Sequence, residues 1–84
     1  MLIHRVEPEY PAALRRDRVE GVVTVSGTID TTGKMVNMSV VRSSDSRLDD
    51  LALAAVREWR WRPGTMDGQP TDVIFTVNVS FSTH

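Results

Sequence analysis

From Val73 to Ser82, apolar and polar side chains alternate without a break. Val73, Phe75, Val77, Val79 and Phe81 fall on one parity, and Ile74, Thr76, Asn78, Ser80 and Ser82 on the other. A period of two is that of a strand; on a helix the same residues would be scattered around the circumference. The segment therefore predicts one long strand with a single apolar face, and the rest of the chain must supply neighbours for its edges and a cover for that face. With 84 residues there is material for one hydrophobic core, so residues 1–84 are read as one domain.

The neighbours are legible upstream. Val23, Val25, Gly27 and Ile29 alternate with Thr24, Ser26 and Thr28, the pattern of a second strand. Asp30-Thr31-Thr32-Gly33 turns the chain, and Val36, Met38 and Val40 then alternate with Asn37 and Ser39. The two runs predict an antiparallel hairpin with Gly33 at the position that needs a positive φ. The cover comes from two helical segments. Pro11 suits a first helical turn, and Ala12 to Arg16 are good helix formers, which predicts a short helix over Pro11–Asp17. Leu48, Leu51, Ala52, Ala55, Val56 and Trp59 recur at helical spacing behind Ser43-Ser44-Asp45-Ser46, which offers helix caps. Pro63-Gly64 follows that helix, and Asp67-Gly68-Gln69-Pro70 reads as a loop. Leu2–Val6 could form a short edge strand or lie extended, ending before Pro8.

Connectivity follows from handedness. A strand, a long helix and another strand make a crossover unit, so the Met35–Val41 and Val73–Ser82 strands should run parallel to each other. Placing the Val22–Ile29 strand between them, antiparallel to both, satisfies every pairing. The expected fold class is α+β: a three-stranded antiparallel or mixed sheet in a β-α-β-β-α-β-like order, with both helices packed on one face. That face is expected to carry Val23, Val25, Ile29, Val36, Met38, Val40, Phe75, Val77 and Val79. The Val73–Ser82 strand becomes an outer edge.

The residues offer no catalytic constellation. His4 and His84 stand at opposite ends and share no helix face with a second metal ligand. Ser43, Ser44 and Asp45 have no base placed beside them, so helix capping explains them better than nucleophilic chemistry. Asp49 and Asp50 are neighbours on a helix and point about 100° apart, which suits the helix dipole rather than paired acid–base work. No cysteine is present, which removes thiolate chemistry and disulfides, and no cofactor or metal is expected. Ten Lys and Arg against eleven Asp and Glu leave a net charge of −1, which disfavours a nucleic-acid partner. The open sheet face carries Thr, Ser and Asn where an RNA-binding sheet would place stacking aromatics. Trp59 and Trp61 are expected in the core, Trp61 with an alternative as a contact residue. The longest strictly apolar run, Leu51–Val56, is far short of a membrane span, so any signal or anchor is expected upstream of this segment.

Several short motifs stand in an order and spacing that is informative as a set. They are Pro8-Glu9-Tyr10-Pro11 with Ala13 and Leu14, Glu20-Gly21-Val22-Val23, Asp30 to Gly33, Ser43-Ser44, and the run Ala55-Val56-Arg57-Glu58-Trp59-Arg60-Trp61-Arg62-Pro63-Gly64 before the closing strand. Over about residues 7–81 the chain resembles the C-terminal domain of TonB, the energy transducer of Gram-negative bacteria.

The resemblance implies a periplasmic domain, tethered to the inner membrane in the full-length protein, that grips the TonB box of outer-membrane TonB-dependent receptors for siderophores, haem or vitamin B12. Force from the proton gradient would reach it through ExbB and ExbD, which engage a transmembrane helix and spacer outside this segment. In the family the receptor segment adds as a strand to the last strand of the domain. Carried over, the partner-binding residues are Val73, Ile74, Phe75, Thr76, Val77, Asn78, Val79 and Ser80, with Glu7, Pro8 and Tyr10 alongside. The family often shows Gln at the position of Glu7, and a carboxylate accepts but does not donate a hydrogen bond at neutral pH, which alters what a receptor meets there. A free edge also invites a homodimer. The competing readings are a related envelope peptide-binding domain, TolA-like or sensor-linked, and a small RNA-binding module; an enzyme is not expected.

Overall fold

The computed structural model describes residues 2–82; His84, one of the two histidines weighed above, lies outside them. In chain order the elements are β1 (Leu2–His4), α1 (Ala12–Arg16), β2 (Gly21–Ile29), β3 (Met35–Ser43), a 3₁₀ turn (Ser46–Leu48), α2 (Asp49–Arg57), β4 (Arg60–Trp61), β5 (Gly64–Met66), β6 (Gln69–Thr71) and β7 (Val73–Phe81). The main sheet has the order β3-β2-β7, with β2 antiparallel to both neighbours, as the crossover rule requires. β1 pairs with β4, and β5 with β6, in two small antiparallel ribbons.

The β2–β3 turn is held by one carboxylate. Asp30 Oδ1 accepts hydrogen bonds from the Thr32 N–H, the Thr32 hydroxyl and the Lys34 N–H. Gly33 follows at φ 88, and a Cβ there would stand 2.5 Å from the Trp61 carbonyl oxygen, so the position needs glycine on two counts. The Gly33 carbonyl in turn accepts from the Trp61 N–H at 2.9 Å, which fastens β4 against the turn.

Both helices are shorter than their sequence patterns. α1 ends in a Schellman arrangement: the N–H of Arg18, at φ 54, donates to the Arg15 carbonyl, and the N–H of Val19 donates to that of Leu14. Val19 is thereby turned into the core at 5% exposure. α2 keeps the expected stripe, with Leu48, Ala52, Ala55, Val56 and Trp59 all buried. Its last turn tightens, Glu58 and Trp59 donating to carbonyls three residues back, because the chain must leave the helix to place Arg60 and Trp61 beside β1.

The caps differ from expectation. Asp45 alone caps the 3₁₀ turn, accepting from the Arg47 N–H at 2.9 Å. Ser43 donates its hydroxyl to Asp49, and the Ser44 hydroxyl accepts from the Val22 N–H, so these two serines tie β2 and β3 to the start of α2.

The core joins Val23, Val25 and Ile29 of β2, Val79 and Phe81 of β7, the α2 stripe, and both Trp59 and Trp61. Full burial of a Val or Leu side chain contributes about 1.5–3 kcal/mol, so this cluster carries the fold. Two expected members are misplaced. Val36 is 37% exposed, and Met35 sits in the core in its stead at 2%. The reason is a bulge: Ser26 pairs with Ser39 but Thr28 with Val36, one extra residue on β3, where Asn37 adopts φ 53. Beyond it the parity reverses, and Met38 and Val40 pack partly buried as expected. Phe75, also assigned to the core, is 45% exposed at the free end of the sheet.

The segment read as a loop is a second hairpin. Asp67 and Gly68 take φ values of 51 and 82, the two positive angles of a type I′ turn, and β5 and β6 pair on either side.

Candidate functional site

The direction of each backbone group in β7 can be derived from its neighbour. The Ser44 N–H donates to the Val22 carbonyl at 3.0 Å and the Asp30 N–H to the Lys34 carbonyl at 2.8 Å, so the even-numbered positions along β2 face β3. β2 pairs with β7 residue for residue from Gly21↔Phe81 to Ile29↔Val73, with no shift, so its odd-numbered residues face β7. Their partners Val73, Phe75, Val77, Val79 and Phe81 turn their N–H and C=O groups inward to β2. Ile74, Thr76, Asn78 and Ser80 direct theirs outward, and among the described residues no strand pairs with that side.

The side chains divide the same strand lengthwise. At its C-terminal half, Val79 and Phe81 are buried, while Asn78 accepts a hydrogen bond from the Thr24 hydroxyl at 2.7 Å on the open face. At its N-terminal half, Ile74 is 79% exposed on the open face and Phe75 is half-exposed on the helix face. Phe75 meets the edge of the Trp61 ring at 5.4 Å between centroids. A cleft of about 270 Å³ opens beside it, lined by Ile29, Trp61, Pro63, Gly64, Val73 and Phe75 among others.

Of the three expected residues from the N-terminal segment, Tyr10 lies against this strand. Its ring meets Phe81 edge-on at 5.6 Å, and its hydroxyl donates to the Val19 carbonyl at 2.6 Å. Pro8 is partly buried two residues before it. Glu7 is exposed and lines a groove with Leu51, Ala54 and Ala55 of α2 and with Glu58 just beyond it, on the helix side of the sheet. The segment is anchored by the Trp59 indole N–H, which donates to the Val6 carbonyl at 2.7 Å, and by Arg5, stacked over the Trp59 ring.

Asp45 is held below its ordinary range by its hydrogen bonds from Arg47, and Asp30 by those from Thr32 and Lys34; both serve turns on the surface. Among the described residues no three His, Cys, Asp or Glu stand together as metal ligands, and no helix is long and apolar enough to cross a membrane.

The last strand thus has an unbroken open edge among the described residues, with Tyr10 packed at its end. Residues 6–83 match the family described as Gram-negative bacterial TonB protein C-terminal. The chain belongs to that family. Protein TonB of Xanthomonas campestris pv. campestris is 37% identical over 76 residues, covering 89% of this chain and 34% of that protein. Protein TonB of Vibrio cholerae is 33% identical over 67 residues, covering 79% and 28%. The chain thus spans about a third of the length of the curated TonB proteins it matches. Among solved structures, the solution structure of the Pseudomonas aeruginosa TonB C-terminal domain superposes with a TM-score of 0.80 at 26% identity, over 98% of this chain and 84% of that one. The TonB2 protein of Vibrio anguillarum superposes at 0.71 with 38% identity, over 100% and 81%.

The β5–β6 hairpin is absent from the sequence-based expectation. Its signal stands in Asp67-Gly68, the dipeptide that a type I′ turn favours.

Proposed function

We propose that this domain is the periplasmic, receptor-gripping end of a TonB transducer tethered to the inner membrane, and that it takes the TonB box of outer-membrane receptors as an added strand on β7. The observation that supports this is the outward row of N–H and C=O groups at Ile74, Thr76, Asn78 and Ser80, continuous over an edge with no bulge. Strand addition draws on main-chain bonds, so one domain can serve receptors of different sequence, for siderophores, haem or vitamin B12. Each such bond nets about 0.5–1.5 kcal/mol, so a handful gives modest, reversible affinity. Bonds loaded side by side share a pull, as force delivered from ExbB and ExbD would require. Tyr10, packed on Phe81, adds an aromatic contact at the C-terminal end of the strand, while Glu7 stands apart beside α2.

The test is calorimetric titration of TonB-box peptides into the chain and its Thr76→Pro and Asn78→Pro variants. Both substitutions remove an outward N–H and leave the β2 pairing intact, so binding should vanish while the fold persists. Binding that is unchanged in both variants would sink strand addition at this edge.

The same edge supports a second reading, a homodimer in which β7 of one copy pairs with β7 of another. Sedimentation equilibrium separates the two: a dimer made this way should dissociate as peptide saturates the edge.

A further inference from the structure

A strand added to β7 needs a register, and the structure contains a feature that limits it. The β5–β6 turn fixes the orientation of the residues leading into β7. Across a two-residue type I′ turn the flanking pair, Met66 and Gln69, exchanges backbone hydrogen bonds. The next such pair is Gly64 with Thr71. Pro70, between them and opposite Thr65, turns its ring nitrogen away from β5.

The side it faces is the open one. Ile29 of β2 and Gly64 and Thr65 of β5 line one cleft beside Val73 and Phe75, and the residues whose backbone groups face a paired strand, Gln69, Thr71, Val73 and Phe75, keep one parity along the β6–β7 segment. Gly64 lies so close to Val73 that a Cβ would stand 2.3 Å from Val73 Cγ2. Pro70 therefore stands on the same outer edge as Ile74, Thr76, Asn78 and Ser80, where it offers a carbonyl but no N–H. Asp72, between the two strands, belongs to neither and is exposed.

We propose that Pro70 is a register stop: it ends the acceptor edge, so that an added strand is held against Ile74–Ser80 and cannot slide along β6. A proline on an edge strand removes the donor that the next inter-strand bond requires and fills the neighbouring strand's place with its ring. Sliding the other way runs the added strand off the end of β7 and loses bonds, so a single register is favoured. That register sets the partner beside Ile74 and Phe75, the exposed apolar residues of β7, and gives it an apolar contact at one end and polar ones at the other. Without the stop, a row of main-chain bonds alone would specify position weakly.

The inference rests on strand addition at β7, and the experiment separates the two. Amide hydrogen exchange is followed by NMR in the 84-residue chain and in its Pro70→Thr and Pro70→Val variants, each saturated with a synthetic TonB-box peptide carrying a nitroxide at one end. In the unaltered chain the amides of Ile74, Thr76, Asn78 and Ser80 should slow by about tenfold on binding. The amides of Gln69 and Thr71 should not change, and the nitroxide should broaden one site. In both variants the amide at position 70 should join the protected set, and the nitroxide should broaden two separated sites. A protected set and a single broadened site identical to those of the unaltered chain would overturn the stop while leaving strand addition standing. No added protection from Ile74 to Ser80 in any of the three chains would overturn strand addition, and the stop with it.

Discussion

The sheet has two outer strands, β3 and β7, each nine residues long and each paired on one side to the same β2. They differ in almost everything that matters to an incoming strand. β3 carries two bulges against β2, one at Asn37 and one where Thr24 and Val25 pair with Arg42 and Val40. Between it and α2 runs a groove of about 440 Å³, lined by Lys34, Met38, Leu53 and Arg57 among others. β7 keeps regular register along its whole length. Bulges twist an edge and interrupt its row of donors and acceptors, which is how natural sheets prevent unwanted pairing. One edge of this TonB domain is thus interrupted by bulges and the other left regular. An exposed edge alone is not an invitation; regular spacing of outward amides is.

The most severe challenge to this contrast is to exchange parity on β7. Val77→Pro removes an N–H that faces β2 and should cost about 3 kcal/mol or more, read as a large fall in the urea midpoint. Thr76→Pro, one residue away, should leave that midpoint nearly unmoved and abolish peptide binding. Equal losses of stability in the two variants would show that the derived directions are wrong.

On β3 the bulge itself can be challenged. Asn37→Val forces a β-branched residue into the left-handed region and should cost about 1–2 kcal/mol by thermal melting. Asn37→Gly should stay within about 0.5 kcal/mol of the unaltered chain.

A smaller effect is expected from the exposed apolar end of β7. Ile74→Ser should change stability by no more than about 0.5 kcal/mol, because the side chain is 79% exposed, yet weaken peptide binding by about fivefold. Equal binding would move the partner's apolar contact elsewhere.

The smallest effect concerns pH. Asp45, held down to about 2 chiefly by its side-chain hydrogen bond from Arg47, and Asp30, held down chiefly by the Thr32 hydroxyl, both serve the connections around β3. A carboxylate with a depressed folded-state value stabilises the fold above its unfolded value and loses that contribution as pH falls through the folded one. For Asp45 the window runs from 3.8 down to about 2. Urea midpoints of Asp45→Asn and Asp30→Asn should therefore depend less steeply on pH in that range. The outward groups of β7 are backbone amides and carbonyls, which do not titrate there.

Much of the architecture is legible in the order of the residues. The alternation at Val73–Phe81, the Asp30–Gly33 hairpin and the α2 stripe each obey a local period, and the crossover rule then orders the strands. What escapes such reading is departure from period. Alternation points Val36 inward because nothing in Met35-Val36-Asn37-Met38 announces which residue will be doubled in a bulge. Ser43 and Ser44 resemble caps because hydroxyls cap helices often, whereas their observed partners, Asp49 and Val22, depend on how β2 meets α2. Within the candidate site, the strand and Tyr10 are readable; the position of Glu7 beside α2 is not, since it follows from how Trp59 anchors Val6 across the core.

That Val73–Phe81 is a strand with one apolar face follows from the order of its residues, because side-chain alternation is a property of each residue and its immediate neighbours. Which backbone groups of that strand stand free is settled only in the folded chain. An N–H points toward a partner or away from it according to the register of a pairing between residues some fifty positions apart, such as Val25 with Val77. Pro70, by contrast, is oriented by the local pairing of the β5–β6 hairpin, where it stands opposite Thr65 and turns its ring nitrogen away from β5.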